Sequence, residues 1–191
     1  MFNILISSDN HLGYKENDAV IGDDSFRVFE EVLETANELD VDFLLLGGDL
    51  FHENRPSQST YYKASEIFNK HVFGAPSPNK MNSMIGNNQS RVSFETRNYP
   101  NANYMNHNHK VKMPIFSIHG NHDSPIGLDL MSSMDQLNAN SYVNYFGKVP
   151  DIQNLEVNPV LLVKGRTRIA IYGIGHISDI RFNVLNESGN L

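Results

Sequence analysis

Short apolar runs alternate with stretches of helical periodicity along the first part of the chain. Phe2–Ser7 and Val41–Leu46 are continuous apolar runs, typical of buried strands and too short for helices. Between them, apolar residues recur at spacings of three and four over Phe26–Leu39, which predicts an amphipathic helix capped by Asp23 or Asp24. A strand, a helix and a strand within about 45 residues predict a βαβ unit with a parallel strand pair.

The same alternation continues after residue 56. Pro56 and Ser57 are favourable residues at a helix start, and the apolar spacing predicts a second helix to Val72. A third apolar strand is predicted over Pro114–Ile118, and a third helix over Leu128–Leu137. Further strands are predicted at Val143–Phe146, Val157–Val163 and Arg168–Tyr172, with the turn Lys164-Gly165-Arg166 joining the last two in a hairpin.

One long segment, residues 75–112, breaks this rhythm. It holds three prolines and a dense scatter of asparagine, with only short apolar pieces. A loop of this length inside a compact domain is usually a functional insertion or a disordered segment. We therefore predict an inserted loop at 75–112.

Composition narrows the possible functions. At 191 residues, with 40% hydrophobic and 19% charged residues, the chain has the size of one domain and enough apolar material for a core. The absence of cysteine excludes a disulfide scaffold, a cysteine-ligated zinc site and a thiol nucleophile. The net charge of −7 means that nucleic-acid binding requires local basic groups, metal ions or a partner. No apolar run approaches the roughly 20 residues of a membrane span, so no membrane association is expected.

Polar clusters follow three of the predicted strands directly. They are Asp9-Asn10-His11, Gly48-Asp49 and Gly120-Asn121-His122-Asp123. Sites in open α/β sheets form outside the carboxyl ends of the strands, so the clusters meet if the sheet is parallel there. Carboxylate, amide and imidazole ligands favour manganese, iron or zinc over copper, and a pair of such metals suits phosphate-ester hydrolysis. Each cluster alone also fits an ordinary turn, but the three in this order are hard to produce by chance.

These motifs resemble the calcineurin-like metallophosphoesterase superfamily and, within it, the Mre-eleven/SbcD nuclease family. The resemblance is carried by Ser8–Gly13, Gly47–Ser57 and Phe116–Asp123, while Pro159–Gly165 and Tyr172–Gly175 are similar to its eukaryotic branch. The D-R-G and G-N-H-E motifs of the protein Ser/Thr phosphatases are missing. The resemblance implies an α/β fold, a β-sandwich flanked by helices, with residues 1–191 as the N-terminal part of the nuclease domain, incomplete at its C-terminus.

The resemblance also implies a site for two Mn²⁺ ions. Asp9 and His11 would hold one ion, Asp49 would bridge the two, and Asn121 would bind the second. The family has further histidine ligands downstream in a G-H-x-H segment, which this sequence lacks. We therefore expect the binding site for the second ion to be incomplete in this chain.

Two histidines carry the implied chemistry. His122 would act as general acid or stabilise the transition state at the scissile phosphate, since imidazole donates protons readily near neutral pH. His52 resembles a family histidine that positions the DNA strand, although it also fits a turn residue that holds the loop after it. Asp123 is expected to orient His122 or its loop rather than to bind metal.

The function implied is a manganese-dependent DNA nuclease, both exonuclease and endonuclease, acting in the nucleus in double-strand break repair, homologous recombination and meiosis. The implied partners are DNA, a second copy through helices near 57–72 and 127–139, the Rad-fifty ATPase, and an Nbs-type regulatory subunit at 75–112. The truncated domain is expected to be weakly active or inactive alone. Two alternatives stay open: another calcineurin-like phosphoesterase, and a non-catalytic module for dimerisation and partner binding.

Overall fold

A computed structural model of the chain describes residues 1–75, 77, 92–106, 108–149, 155–179 and 183. Its α-helices are α1 (Asp24–Glu38), α2 (Gln58–Val72) and α3 (Ser133–Ala139), with a 3-10 helix at Asn103–Met105. Its strands are β1 (Ile4–Ser7), β2 (Phe43–Leu46), β3 (Glu95–Thr96), β4 (Ile115–Ser117), β5 (Asn144–Tyr145), β6 (Val160–Lys164) and β7 (Thr167–Ile171). Among these described helices, none is long and apolar enough to cross a membrane.

Four strands form a parallel sheet in the order β1-β2-β4-β5. Ile4 lies opposite Phe43, and Leu44 lies opposite Ile115. The predicted βαβ unit is confirmed, because α1 connects the parallel neighbours β1 and β2. The carboxyl ends of β1, β2 and β4 consequently lie at one edge of the sheet.

Helices α1 and α2 pack against each other through the predicted apolar stripes. Phe29 of α1 meets Phe68 of α2 with ring centroids 5.4 Å apart. Ser57 caps α2, since its hydroxyl accepts a hydrogen bond from Thr60 N at 3.0 Å. Asp23 occupies the N-cap position of α1 as predicted, but its side chain makes no capping hydrogen bond and instead pairs with Lys63 of α2 at 2.7 Å.

The other three strands form an antiparallel sheet in the order β3-β6-β7. The predicted hairpin between β6 and β7 is confirmed by its antiparallel register. The two sheets meet through aromatic rings: Phe43 of β2 lies 5.9 Å from Phe94, which directly precedes β3, and 5.2 Å from Phe116 of β4. The predicted α/β fold of two sheets flanked by helices is confirmed.

Two sequence predictions need correction. The first strand forms as predicted, but it is not buried, because Ile4 is 39% and Ile6 67% exposed on the edge of the parallel sheet. The third helix begins only at Ser133, where Ser132 and Asp135 form a capping box. Leu128 therefore lies in a turn before the helix, fully exposed, and the predicted helix near 127–139 is shorter than its apolar spacing indicated.

The predicted inserted loop, 75–112, contributes to the core where it is described. Residues 76, 78–91 and 107 of that prediction lie outside the described residues. Phe94, Tyr104 and Val111 are buried, and the short strand β3 pairs with β6. The described parts of the segment therefore belong to the packed fold.

Candidate metal centre

The loops after β1 and β2 run side by side beyond the ends of their strands. Asp9 N donates to Gly48 O at 3.1 Å, and His11 N donates to Asp49 O at 3.0 Å. The pairing continues at Leu12, whose N–H also donates to the loop after β2. Backbone hydrogen bonds thus fix two of the three predicted clusters against each other.

Three of the predicted metal ligands have left-handed backbone conformations. The φ angles are 57° at Asp9, 48° at His11 and 50° at Asp49. A residue other than glycine costs about 1–3 kcal/mol in such a conformation, and such strain tends to occur at functional sites. The surrounding hydrogen bonds stabilise these conformations.

Asp49 connects the second loop to the third. Its side chain is buried, and Oδ1 accepts a hydrogen bond from His122 N at 2.7 Å. Within the described part of the chain, no hydrogen bond engages Oδ2. The carboxylate therefore fixes the loop after β4 while keeping one oxygen for another ligand.

Asp123 makes a second connection between the same two loops. It is fully buried, and its oxygens accept hydrogen bonds from Leu50 N at 2.7 Å and Gly120 N at 2.6 Å. Burial raises the pKa of the Asp123 carboxyl, against the opposing effect of these backbone hydrogen bonds. Both oxygens accept hydrogen bonds from backbone N–H groups, so Asp123 connects the loop after β2 to the loop after β4.

Three histidine rings gather beside these carboxylates. The centroids of His11 and His122 are 4.8 Å apart, and His52 stacks on His122 at 5.1 Å. His122 Nδ1 lies 2.7 Å from the carbonyl oxygen of His52. Because a carbonyl only accepts, Nδ1 carries the proton in this hydrogen bond. The nitrogen of His122 that remains available for chemistry is therefore Nε2.

The donor set suits a divalent cation. One group consists of Asp9, His11 and Asp49, and a second of His11, His52 and His122; in each, the ligand atoms lie within 4.8 Å of one another. Carboxylate oxygen and imidazole nitrogen without thiolate suit manganese, iron or zinc. The structure thus brings five of the six predicted site residues together.

Asn121 lies on a neighbouring part of the surface. Its side chain lines a cavity of about 350 Å³ together with His119, Lys148 and His176, rather than the groove that Asp9 and His11 line. Burial lowers the pKa of His119, whose Nδ1 lies within hydrogen-bonding distance of the Tyr145 hydroxyl, at 2.6 Å. The predicted role of Asn121 toward a second ion stays a prediction.

We predict that replacing Gly120 with alanine disturbs the metal centre. An added Cβ would overlap the carboxylate of Asp49 and lie 2.6 Å from Asp49 N. Overpacking costs about 1–3 kcal/mol, and displacing a ligand's support typically weakens metal binding about 10- to 100-fold. Thermal unfolding measures the loss of stability, and calorimetric titration with Mn²⁺ measures the loss of metal affinity.

Gly165→Ala is the control for Gly120→Ala. A Cβ at Gly165 meets open space, although its φ of 57° is unfavourable for alanine. We expect Gly165→Ala to lower stability slightly and to leave Mn²⁺ affinity unchanged. Equal Mn²⁺ affinity in Gly120→Ala and the unmodified chain would contradict the placement of Asp49 at the metal.

Sequence reasoning missed one residue at the rim of this site. Tyr14 packs edge-to-face on His52, with ring centroids 4.9 Å apart, and lines the groove beside Asp9 and His11. Its position three residues after His11, in the same loop, was the available signal. An aromatic residue in a turn has no periodic pattern to mark it.

Comparison with known proteins agrees with the geometry. The chain is 45% identical over 180 residues to a Gallus gallus protein named double-strand break repair protein MRE11, and 44% identical to its Homo sapiens counterpart. An Arabidopsis thaliana protein of the same name is 44% identical over 188 residues. Each comparison covers 94% of this chain and 25% of the relative, so the chain spans about a quarter of the length of these curated relatives. Residues 2–189 match the calcineurin-like phosphoesterase family, and the chain belongs to that family.

Proposed function

We propose that this chain is the metal-binding part of a manganese-dependent nuclease that hydrolyses DNA phosphodiester bonds, as exonuclease and endonuclease, in double-strand break repair. The observation that carries the proposal is the meeting of carboxylates and imidazoles from three loops at one edge of the sheet. DNA is proposed as the substrate because relatives that are 44–45% identical to this chain are named for double-strand break repair. Action in the nucleus follows from the same proposal.

Asp9, His11 and Asp49 are the residues that would hold the cation. A bound divalent cation neutralises charge on the phosphoryl oxygens and lowers the pKa of water. Asp49 would be suited to bind more than one cation, since Oδ1 holds the His122 loop while Oδ2 accepts no hydrogen bond from the described residues. The cation would also reverse the local negative charge, which otherwise repels DNA.

His122 would supply the proton to the leaving sugar oxygen. Its Nδ1 proton is held by the His52 carbonyl, which fixes the ring and leaves Nε2 to face substrate. Protonated Nε2 donates its proton as the phosphorus–oxygen bond breaks, so that the leaving oxygen departs as a neutral hydroxyl. The His52 ring, stacked on His122, would contact the DNA strand and hold its phosphate in place.

The partner surfaces belong to the same proposal. A cavity of about 750 Å³ opens between α2 and the loop before α3, and Tyr62, Leu128 and Met131 are exposed around it. An apolar surface of this kind fits a second copy of the chain. The segment 75–112 would contact an Nbs-type regulatory subunit, and the Rad-fifty ATPase would complete the complex.

Cation binding combined with a substrate panel tests the proposal. At 100 times its dissociation constant, Mn²⁺ is expected to stabilise the folded chain by about 2.7 kcal/mol. When the chain is joined to the downstream histidine segment that it lacks, we expect Mn²⁺-dependent cleavage of plasmid DNA, and no hydrolysis of a cyclic nucleotide or a phosphopeptide. Calorimetry, thermal unfolding and gel assays measure these outcomes.

Asp49→Asn is the matched variant for this test. Asparagine can keep the hydrogen bond from His122 N through its own oxygen, but it lacks the charge that holds a cation. We expect it to lose the Mn²⁺ stabilisation without unfolding. Hydrolysis of the phosphopeptide in preference to DNA, or Mn²⁺ binding unchanged in Asp49→Asn, would overturn the proposal.

A further inference from the structure

We propose that Tyr14 and Lys15 form a binding site for the nucleotide next to the scissile phosphate, in which Tyr14 stacks on the base and Lys15 pairs with the adjoining phosphate. This rests on the proposed nuclease function and adds to it a specific requirement for a nucleobase. A phosphate-recognising site alone would treat base-bearing and base-free strands alike.

Tyr14 stands at the rim of the metal centre with much of its surface free. Its ring lies 4.9 Å from the His52 ring, edge-to-face, yet the residue remains 45% exposed. A tyrosine that only packed the core would be buried, as Tyr104 is. An exposed aromatic ring beside phosphate-directed groups is the usual platform for a nucleobase, since every base presents a π-face.

The groove beside Tyr14 offers apolar walls as well as metal ligands. Its volume is about 550 Å³, and Val28 and Val32 of α1 line it together with Asp9 and His11. Val28 is 59% exposed, so this apolar surface is accessible from solvent. The combination suits an aromatic base attached to a phosphate, because apolar side chains and metal-binding side chains line the same groove.

Lys15 supplies the positive charge. Its ammonium lies over the Tyr14 ring, 5.4 Å from the centroid. In the ranges that the structure describes, no carboxylate forms an ion pair with Lys15. A cation without a protein partner, held next to a stacking platform, is placed to pair with the phosphate that adjoins the stacked base.

The loop that carries these two residues is held rigidly. Tyr14 N donates to His11 O at 3.0 Å, and the Glu16 carboxylate accepts hydrogen bonds from Ser57 at 2.6 Å and from Thr60 at 2.5 Å. The Ser57 and Thr60 hydroxyls lower the pKa of Glu16. Gly13 has a φ of 88°, and a Cβ there would lie 2.7 Å from Thr60 Oγ1, so the turn requires glycine. A preorganised ring loses little freedom when a base stacks on it.

Binding of two single strands, in Ca²⁺ and in the unmodified chain, tests this proposal. One is a fluorescently labelled oligothymidine of 12 nucleotides, and the other has the same sugar–phosphate backbone with every base removed. Alanine substitution of a stacking aromatic weakens binding about 5- to 150-fold per base. We expect Tyr14→Ala to weaken thymidine-strand binding by this factor and to leave the base-free strand unchanged, while Tyr14→Phe keeps the affinity for both strands.

Two further variants complete the design. Lys15→Met is expected to weaken the binding of both strands equally. It is also expected to reduce the slope of log affinity against log salt concentration by about 0.7. Tyr172→Ala removes an exposed tyrosine that directly follows β7 and is expected to change neither affinity. Thermal unfolding of each variant checks that the loop still folds.

Each outcome decides the proposal. Equal binding of both strands by the unmodified chain, or equal weakening of both by Tyr14→Ala, would overturn the base site. Cleavage of the same strands is measured in Mn²⁺ with the downstream histidine segment joined to the chain. Base-dependent binding that Tyr14→Ala removes, without any cleavage under these conditions, would support the base site while the nuclease proposal fails. Cleavage of both strands at equal rates in every Tyr14 variant would leave the nuclease standing and refute the base site.

Discussion

In the proposed nuclease, with the downstream histidine segment joined to the chain, replacing His122 with asparagine is expected to reduce DNA cleavage about 10²- to 10⁴-fold, which is the usual contribution of a general acid, while leaving the fold and Mn²⁺ binding in place. The reason is the position of its two nitrogens. Nδ1 donates to the His52 carbonyl at 2.7 Å, and the asparagine amide nitrogen can occupy the same place and donate the same bond. Asparagine has no counterpart of Nε2 and no ring to stack on His52, so the proton transfer is lost together with this ring contact.

The measurement combines single-turnover cleavage rates with Mn²⁺ titrations of the same preparations. His109→Asn is the matched control, because His109 stacks on Phe73 away from the metal centre, with centroids 5.7 Å apart. We expect the control to cleave at the unmodified rate. The group formed by His11, His52 and His122 would also permit His122 to be a metal ligand. In that case, His122→Asn would lose Mn²⁺ affinity in proportion to its cleavage rate, and the assignment of His122 as the general acid would be wrong.

The meeting of the site residues could be predicted because it follows from strand direction. Asp9 and Asp49 each come directly after an apolar run, and the helix between the runs makes the strands parallel. Parallel neighbours end at the same edge of a sheet, so the residues after them converge. The expected contact of Asp123 with its own loop is confirmed by the bond from Gly120 N. Neither the left-handed backbone at Asp9 and Asp49 nor the bond of Asp123 to the loop after β2 has a signal in the sequence, since both depend on tertiary structure.

The sequence predictions that differ from the structure do so for specific reasons. The apolar run that forms β1 predicts a strand, but an apolar run does not reveal which neighbour covers it, and Ile6 is 67% exposed at the sheet edge. Leu128 and Met131 share a helical spacing with Met134, yet the capping box at Ser132 and Asp135 starts the helix after them. That capping signal was present in the sequence and outweighs the spacing. Phe94 and Tyr104 show no periodicity, so their burial was not predictable.

Removing the ammonium of Lys164 is expected to destabilise the fold by about 3 kcal/mol, the lower end of the range for breaking a buried ion pair. Lys164 Nζ lies 2.6 Å from Asp42 Oδ1, and the pair connects β6 of the antiparallel sheet to the residue just before β2 of the parallel sheet. The Asp42 side chain is 2% exposed and that of Lys164 24% exposed. Lys164→Met keeps most of the side-chain volume and leaves the Asp42 carboxylate buried without its cation.

Lys63→Met is the control for this effect. Lys63 pairs with Asp23 at 2.7 Å, almost the same distance, but the two side chains are 40% and 58% exposed. Exposed pairs contribute about 0–1 kcal/mol, so we expect this variant to lose no more than that. Chemical denaturation of both variants measures the difference, and equal losses would show that burial does not strengthen the Lys164 pair.

The stability difference between the unmodified chain and Lys164→Met should depend on pH. Burial by itself raises the pKa of Asp42, but hydrogen bonds from Lys164, from the Ser93 hydroxyl and from Asn3 N, together with the Lys164 charge, outweigh it and leave the pKa below its ordinary value. A carboxyl whose pKa is lowered by folding stabilises the folded state fully above its unfolded pKa, near 4. That stabilisation is lost as the pH falls through the folded pKa, because the protonated carboxyl no longer pairs with the ammonium. In Lys164→Met the loss of the ammonium leaves burial to raise the pKa of Asp42, so the variant binds this proton at a higher pH than the unmodified chain. We therefore expect the full difference at pH 7 and a shrinking one as acid protonates Asp42, whereas a constant difference would mean that packing of the Lys164 stem, rather than its charge, stabilises the contact.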